Sequence, residues 1–409
     1  MTVAADLANT CPHRTERGGV FIRKNHYNPC ILTLSFEYLK TQMPLLKTGD
    51  VLQGEITGVL TYEFGSYRVL VTSRLPEIKK GNLARQTVSL PEGEKTLRVA
   101  TYNIENCSPN DSERIIRLGQ DIVHNLASPD IIALQEVQDN NGVEGGTEDA
   151  ETSASKTYEA LIKAIIKAGG PEYGWADIPP ATPGSEGGQP GGNIRVGFIW
   201  RLDRVVLKRV PGGTPHSAVG LKKVSGEVSL SFSPGRIEPE NPAFNRTRKP
   251  LIGEFVFQGK KIFVMTLHLA SRRGDDSLFG TSQPPVFKSE AIRIKQLEVA
   301  AEFVKSLLKM DNTARVVVLG DFNEFYFGKP MDALKNIGLT NLMERIPESS
   351  RYTYVHAGNS QAIDHIFVSP ALMRIFTGVQ PVHINAEFPE GNRNSDHDPV
   401  ISAFNFSRE

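Results

Sequence analysis

Polar side chains that can bind a metal ion or move a proton recur at the ends of apolar, strand-like segments. Asn103 closes the segment LRVATYN, Glu136 follows DIIALQ, and His268 closes KIFVMTLH. Asp321 and Asn323 follow RVVVLG in the same manner. Ligand sites in α/β proteins gather at the carboxyl ends of strands, so this spacing predicts that the five side chains face one site.

Three further candidates lie at the beginnings of strand-like segments. Asp364 opens DHIFV, and Asp396 and His397 precede PVISAF. The start of an antiparallel strand lies beside the end of its neighbour, so these residues are predicted to join the same edge. Each residue alone is weak evidence, because an aspartate beside a strand is more often a turn residue. Their joint occurrence favours a single site, whereas Asp398 is interpreted as structural.

These residue types indicate metal-assisted hydrolysis of a phosphate ester. The carboxylates of Glu136 and Asp396 are hard oxygen ligands of the kind that Mg²⁺ or Mn²⁺ prefers. A carboxylate such as that of Asp321 can orient and deprotonate an attacking water. Histidines can bond to phosphate oxygens or pass protons, and an aspartate on the second ring nitrogen fixes the tautomer. The Asp364–His397 pair fits that arrangement.

The segments that carry these residues alternate between strand and helix patterns. Apolar residues at helical spacing predict helices over residues 112–127 and 288–309, and SKTYEALIKAIIKAGG reads as an amphipathic helix ended by glycine. Gln258, Gly259 and Lys260 separate two apolar runs and predict a hairpin. Alternating strands and helices with hairpins between them favour an α/β layered fold with a mixed sheet.

The amino-terminal quarter of the chain differs from the rest in its composition and residue pattern. Residues 49–73 are rich in Val, Thr and Tyr with glycine punctuation, which predicts two or three short strands of a small β module. Residues 76–95 are polar and are typical of a linker. We therefore expect a poorly defined segment over residues 1–45, a small OB-like β module over 46–90 and a catalytic domain over 96–409.

Composition limits the classes of partner. The 409 residues contain 46 Lys and Arg and 46 Asp and Glu, so a polyanion could be attracted only by local patches and metal ions. The three cysteines, Cys11, Cys30 and Cys107, are too few for a disulfide framework, and a Cys11–Cys30 bridge is left open. No apolar run is long enough to span a membrane, and the amino terminus has no signal-peptide pattern.

Six motifs occur in one order: TYNIEN, DIIALQEVQ, TLHLAS, VVLGDFNEF, AIDHIFVS and SDHDPV. Together they resemble the endonuclease/exonuclease/phosphatase superfamily, the fold of DNase I and the abasic-site endonucleases, over about residues 97–405. GDVLQGEITGVLTYEFGSYRVL is similar to the small β module that precedes this domain in secreted bacterial and fungal nucleases. The resemblance implies a four-layer α/β sandwich with two facing mixed sheets, preceded by a small β module.

The same resemblance implies a role for each candidate residue and a metal cofactor. The implied cofactor is Mg²⁺ or Mn²⁺, with Ca²⁺ as an alternative. The implied set comprises His268, Asp321, Asn323, Asp364 and His397 as catalytic residues, Asn103, Glu136 and Asp396 at the metal, and Arg195 and Arg248 as phosphate contacts.

Three functions are compatible with these motifs. The first is a nuclease that hydrolyses DNA, or RNA, by endonucleolytic or exonucleolytic cutting. The second is a phosphatase or phospholipase C-type phosphodiesterase acting on an inositol phosphate or a sphingomyelin-like lipid. The inositol phosphatases of the superfamily carry a Trp-Cys-Asp-Arg type motif near the position of Asp364, and GNSQAIDHIFVS lacks it, which favours the nuclease. The third, a non-catalytic binding protein, is disfavoured because no essential group is missing.

Nucleic acid is accordingly the expected partner, and we expect a monomer without an obligate protein partner. The resemblance implies an extracellular location, whereas the amino-terminal sequence shows no signal peptide. The localisation is therefore left open.

Overall fold

Two facing β-sheets with helices on their outer surfaces form the main body of the protein in the computed structural model. The structure describes residues 1–4, 11–27, 30–39, 43–63, 65–144, 146, 150–278 and 280–408. The strands, in chain order, are Thr2–Ala4 (β1), Val20–Phe21 (β2), Ile31–Ser35 (β3), Val51–Gln53 (β4), Gly58–Glu63 (β5), Ser66–Val71 (β6), Glu77–Lys79 (β7), Thr96–Cys107 (β8), Ile131–Val137 (β9), Tyr173–Asp177 (β10), Arg195–Arg201 (β11), Val205–Leu207 (β12), Leu221–Val224 (β13), Glu227–Leu230 (β14), Gly235–Arg236 (β15), Leu251–Phe257 (β16), Lys260–His268 (β17), Val316–Asp321 (β18), Thr340–Asn341 (β19), Tyr354–His356 (β20), Asn359–Gln361 (β21), Asp364–Val368 (β22), Phe376–Pro381 (β23) and Val400–Asn405 (β24).

The helices are few and mostly short. The α-helices are Ser112–Gln120 (α1), Ser155–Lys167 (α2), Glu290–Met310 (α3), Asp332–Lys335 (α4) and Pro370–Ile375 (α5). A π-helical turn, Asp121–Asn125, continues α1, so the helix predicted over 112–127 changes its geometry in the middle. The helix predicted over 288–309 is confirmed as α3. In the described part of the chain, no helix is long and apolar enough to cross a bilayer.

Both large sheets are mixed, as the alternating pattern predicted. The first sheet has the order β10-β11-β9-β8-β24-β23, in which only β8 and β9 run parallel. The second has the order β12-β16-β17-β18-β22-β19, with β15 also pairing with β16, and only β17 and β18 run parallel. The carboxyl ends of β8 and β9 therefore lie side by side at one end of the first sheet. Those of β17 and β18 lie side by side at one end of the second sheet.

The core lies between the two sheets and continues under the helices. Val99 and Phe198 of the first sheet pack with Phe255, Val317 and Ile366 of the second. A second apolar cluster joins α3 to the outer face of the second sheet, and a third joins α1 and α2 to the first. These layers form the four-layer α/β sandwich that the family resemblance implied. Burial of near-continuous apolar strands on both faces explains why this arrangement is favoured.

The amino-terminal region forms one small β module that begins at the first residues. Strands β1 and β3 belong to the same open sheet as β5 and β6, in the order β1-β3-β6-β5. The expectation of a poorly defined segment before residue 46 is therefore wrong for the described residues. Short strands that pair across long stretches of chain leave little local periodicity. The four described strands of this sheet are all short. Cys11 and Cys30 form a disulfide, the bridge that the sequence left open.

The predicted linker lies against the two-sheet sandwich as an ordered strap, which we define as residues 80–95. The Arg85 guanidinium donates to the carbonyl of Ile384 at 3.0 Å. Gln86 exchanges two hydrogen bonds of 3.1 Å with His383, one backbone to backbone and one through its side chain. The Val88 amide donates to the carbonyl of Asn125. The module is therefore joined to the sandwich by a fixed connection.

A buried histidine in the second sheet gives the fold a specific dependence on pH. His365 is fully buried, with Nε2 2.9 Å from the carbonyl of Glu324 and Nδ1 3.2 Å from the Asn341 amide nitrogen. These partners suit a neutral ring that donates from Nε2 and accepts at Nδ1. Burial is the main cause that lowers the pKa of His365 to about 4.

We predict that acid destabilises the native protein through His365. Its folded-state pKa lies below the usual 6.5, so the unfolded chain takes up the proton first, and stability is lost as the pH falls from 6.5 towards 4. The loss is about 3 kcal/mol in the free energy of unfolding. Urea unfolding of wild type and His365→Gln across this range measures it. Parallel pH profiles for the two proteins would contradict the assignment.

Candidate active site

The predicted site residues meet where the edges of the two sheets approach each other. Asn103 and Glu136 come from β8 and β9 of the first sheet. In the second sheet His268 lies opposite Asp321 in the parallel pair, and Asp321 lies opposite Asp364 in the antiparallel pair. The ends of some strands and the beginnings of others thus lie side by side, so the site residues come together as the spacing predicted.

Asn103 joins the two sheets across the site. Its Nδ2 lies 3.2 Å from Oε1 of Glu136 and 3.2 Å from Oδ2 of Asp321. The other oxygen of Glu136 accepts the Asn106 amide at 3.0 Å. Asn103 is nearly fully buried, so these charged-group contacts are shielded from solvent.

The backbone around the site adopts the left-handed region at several residues with side chains. Glu105, Asn106, Glu136 and Asn323 have φ values of 47°, 49°, 61° and 49°. Such conformations cost energy and gather where a fold must aim a group in one direction. Here a bulge in β8 turns the Asn106 amide towards Glu136, which fixes the direction of that carboxylate.

His397 is held by a carboxylate on one nitrogen and faces the site with the other. Nδ1 lies 2.8 Å from Oδ2 of Asp364, which also accepts the Thr353 hydroxyl. Nε2 lies 3.9 Å from both Oδ2 of Asp321 and Oδ1 of Asp396. Burial alone lowers the pKa of His397, but the carboxylates, led by Asp364, outweigh it and hold the pKa well above 6.5.

Asp321 occupies the centre of the cluster. One oxygen accepts the Asn323 amide at 2.7 Å, and the other accepts the Asn323 and Asn103 side-chain amides at 3.2 Å. Burial raises the pKa of Asp321 to about 7, although the neighbouring His397 opposes the rise. A carboxylate with a pKa near neutrality is suited to accept a proton in the reaction.

His268 is the second imidazole of the site and is uncharged. Its Nε2 lies 3.5 Å from Oδ2 of Asp321 and 3.8 Å from Oε1 of Glu136, while Nδ1 has no partner in the described part of the chain. Burial, reinforced by Arg248 and His397, lowers its pKa well below 6.5. Neutral imidazole can serve as a hydrogen-bonding group or as a metal ligand.

The two predicted phosphate contacts differ in position. Arg248 donates from Nη2 to the carbonyl of Leu269 at 2.8 Å, while its buried Nε has no partner among the described residues. Burial lowers the pKa of Arg248, and the negative charges of Glu136 and Asp321 oppose this shift.

Arg195 does not join the cluster, which corrects the expectation from its sequence position. Only 1% of it is exposed, and the guanidinium is bound by the carbonyls of Asn193 and Thr152 and by the Asp177 carboxylate, 3.3 Å away. All three of its nitrogens are committed to these groups. Arg195 therefore stabilises the first sheet and its loops, and we drop it from the phosphate contacts.

The acidic residues suit a divalent cation. Glu136, His268 and Asp321 offer ligand atoms within 4.8 Å of one another. The side chains of Glu136 and Asp396 keep 18% and 25% of their area exposed to the cleft. Burial and then the charge of Asp396 raise the pKa of Glu105, which shows how crowded the negative charges are. Hard oxygen donors in such a set fit Mg²⁺ or Mn²⁺.

Sequence reasoning missed the residues that support His397. Thr353 bonds to Asp364, and the Tyr354 ring lies 4.8 Å from the His397 ring. Their only signal is their position in RYTYVHAGNSQAIDH, just ahead of Asp364. Asp398, interpreted as structural, accepts the amides of Ile384, Asn385 and Ala386 at 2.7–3.1 Å and pairs with His383.

The fold is a layered α/β sandwich with a carboxylate–histidine site at the ends of its strands, and a family model matches the same region of the chain. Residues 100–397 match the model of the Endonuclease/Exonuclease/phosphatase family. The chain belongs to this family, whose description covers enzymes that hydrolyse phosphate esters. Residues 1–80 match a domain of unknown function, DUF8508, which coincides with the amino-terminal module.

Several known proteins are similar to this chain. The Endonuclease/exonuclease/phosphatase family domain-containing protein 1 of Homo sapiens and that of Bos taurus are each 24% identical over 329 residues, or 76% of this chain and 50% of theirs. The chain thus spans about half the length of the curated relatives it matches.

Among solved structures, the human Nocturnin catalytic domain with bound sulfate is 14% identical, with a TM-score of 0.47 over 76% of this chain and 93% of that one. A humanized D. rerio TDP2 is 20% identical, with a TM-score of 0.45 over 76% and 99%. The family assignment rests on the sequence match.

Proposed function

We propose that the protein is a divalent-metal-dependent phosphodiesterase and, more narrowly, a nuclease. One observation carries the proposal: a cationic His397, held by Asp364, faces Asp321 and Asp396 at the edge where Asn103 and Glu136 also converge. This set can supply a base for water, a positive charge for the phosphate and oxygen ligands for a metal. Hydrolysis of a phosphate ester needs these three functions.

The protein's own groups divide the reaction between them. Asp321 takes the proton from the attacking water, while the side-chain amide of Asn323 orients that water. The water oxygen forms the new bond to phosphorus as the bond to the leaving oxygen breaks. His397 donates from Nε2 to a non-bridging phosphate oxygen, and its charge stabilises the negative charge that develops there. Arg248 and the neutral His268 add hydrogen bonds to the same phosphate.

Glu136 and Asp396, with Asn103 beside them, would hold the metal ion. When bound, a divalent cation neutralises the phosphate and stabilises negative charge on the leaving oxygen. The fixed direction of the Glu136 carboxylate, set by the amides of Asn103 and Asn106, prepares that position.

A substrate panel tests the proposal. Purified protein is incubated with closed circular plasmid, linear DNA, RNA, an inositol phosphate and sphingomyelin, each with Mg²⁺, with Mn²⁺ and with EDTA. We expect metal-dependent cleavage of nucleic acid that stops in EDTA. Nicking of the plasmid, which has no ends, would define endonuclease activity. Folded protein that leaves DNA and RNA intact but hydrolyses an inositol phosphate or sphingomyelin would overturn the nuclease proposal.

A further inference from the structure

The amino-terminal module forms one wall of the cleft that contains the candidate site. The cleft has a volume of about 1240 Å³, and its lining includes Asp321 and His397 together with Tyr27, Thr33 and Tyr67 of the module. Small-molecule sites usually enclose about 300–1,000 Å³. A cleft larger than this range suits a segment of a polymer.

The wall is attached firmly to the catalytic domain. Strand β2 of the module pairs in parallel with β21, with Val20 opposite Asn359 and Phe21 opposite Ser360. The hydroxyls of Ser66 and Ser277 lie 2.7 Å apart across the junction. Since backbone pairing and side-chain bonds both cross the boundary, the module holds a constant position beside the site.

The module presents aromatic rings at this wall. Tyr67 of β6 is 49% exposed, and its ring lies edge-on to the ring of Tyr62, 4.8 Å away. The Tyr62 hydroxyl lies 3.3 Å from that of Thr281, which fixes the second ring. These tyrosines of YEFGSYRVL are therefore surface residues and not core, while Phe64 lies outside the described residues. An exposed tyrosine face in a cleft is a platform on which a nucleobase can stack.

The lining of the cleft also includes the cationic side chains of Arg272 and Arg273. The Arg272 guanidinium lies over the ring of Phe325 at 3.9 Å and over that of Phe287 at 4.6 Å, and Arg273 is exposed beside it. Arg272 is itself paired with Asp275 at 3.3 Å and with Glu324 at 3.4 Å. Asp276 lies 3.7 Å from Lys288, whereas Arg273 is exposed in the cleft lining. A strand in the cleft would thus meet the exposed ring of Tyr67 and the guanidinium of Arg273.

We propose that this cleft binds the single-stranded polynucleotide that flanks the scissile phosphate, with a base stacked on Tyr67 of the module and a backbone phosphate near Arg273. The inference rests on the proposed nuclease function and names its substrate class. Bases within a duplex are stacked on each other, whereas those of a single strand are free to stack on a side chain. The module therefore selects for single-stranded substrate and extends the contact beyond the reacting phosphate.

Kinetics of Tyr67 variants test this inference. Wild type, Tyr67→Ala and Tyr67→Phe are assayed on a short single-stranded oligodeoxynucleotide, the same sequence as a duplex, and bis(p-nitrophenyl) phosphate. Tyr38→Ala is the matched control, because Tyr38 is a 63% exposed tyrosine of the same module outside the cleft lining. We expect Tyr67→Ala to lower kcat/KM on the single strand about 10-fold, mainly through KM, and to leave the small diester unchanged. Tyr67→Phe, which keeps the ring, should behave as wild type.

The possible outcomes separate the two proposals. If wild type cleaves the oligonucleotide and Tyr67→Ala loses nothing, or loses equally on the small diester, the stacking role is overturned while the nuclease proposal stands. A comparable loss on the duplex would also overturn it. If wild type cleaves no nucleic acid, the nuclease proposal itself has failed, and the wall would then have to accept another polymer or lipid.

Discussion

Replacing His397 by alanine is expected to lower kcat by about 10³-fold or more at saturating metal, with much less effect on KM. The side chain supplies a positive charge and a hydrogen bond where negative charge develops on the phosphate. Its surroundings maintain that charge, because Asp364 binds Nδ1 and two further carboxylates lie 3.9 Å from Nε2. Steady-state hydrolysis of plasmid DNA and of bis(p-nitrophenyl) phosphate should show the same loss.

A matched control and a gentler variant accompany this experiment. His216 also lies beside a carboxylate, 2.6 Å from Glu240, but is 69% exposed at the surface, so His216→Ala should keep full activity. His397→Gln retains size and hydrogen-bonding capacity if the alanine variant folds poorly, and it should lose nearly as much activity because it carries no charge. Near wild-type turnover in folded His397→Gln would show that His397 has been assigned the wrong role.

The second large effect is expected at the metal position. Glu136→Gln removes one negative charge from the group of residues assigned to the cation, so the metal concentration for half-maximal activity should rise 10-fold or more. At saturating metal, part of the activity should return. Binding of Mn²⁺ by calorimetry and the rise in Tm on adding Mg²⁺ give readouts that do not depend on turnover.

Glu113→Gln is the control for Glu136→Gln, since the Glu113 carboxylate is 92% exposed on α1 and lies 3.9 Å from Arg117. It should bind metal as wild type does. If Glu136→Gln binds Mn²⁺ with wild-type affinity, the metal lies elsewhere. If wild type binds no divalent metal and is active in EDTA, the metal-dependent mechanism is wrong.

Much of the fold and the candidate site could be read from the sequence because the relevant signals are local. Long apolar strands are recognisable by their composition, and a polar residue at a strand end has only one edge of the sheet to occupy. That reasoning placed His268, Asp321 and Asp364 together, and the register of β17, β18 and β22 agrees. The order of the six motifs supplied the family.

The parts that were missed depend on long-range pairing or on side-chain direction. Strand β1 is three residues long and pairs with β3, so nothing near it in the chain indicates a sheet. Arg195 lies next to a bulge, and sequence does not show that its guanidinium points to Asn193 and Asp177. Thr353 reaches Asp364 because the β20–β21 hairpin folds back on itself and the Thr353 amide donates to the carbonyl of Gln361.

The strap has a practical consequence for dividing the protein into parts. It bonds to His383 and Ile384, and the module adds contacts from Thr48 and Arg17 to Glu387. These contacts fall on the segment whose three amides, those of Ile384, Asn385 and Ala386, are bound by Asp398. Asp398 directly follows His397 in the chain. Expressing the sandwich without the module and the strap would remove one wall of the cleft. It would also remove contacts that hold the segment bound to Asp398, next to His397. Rates measured on such a fragment would describe a different enzyme.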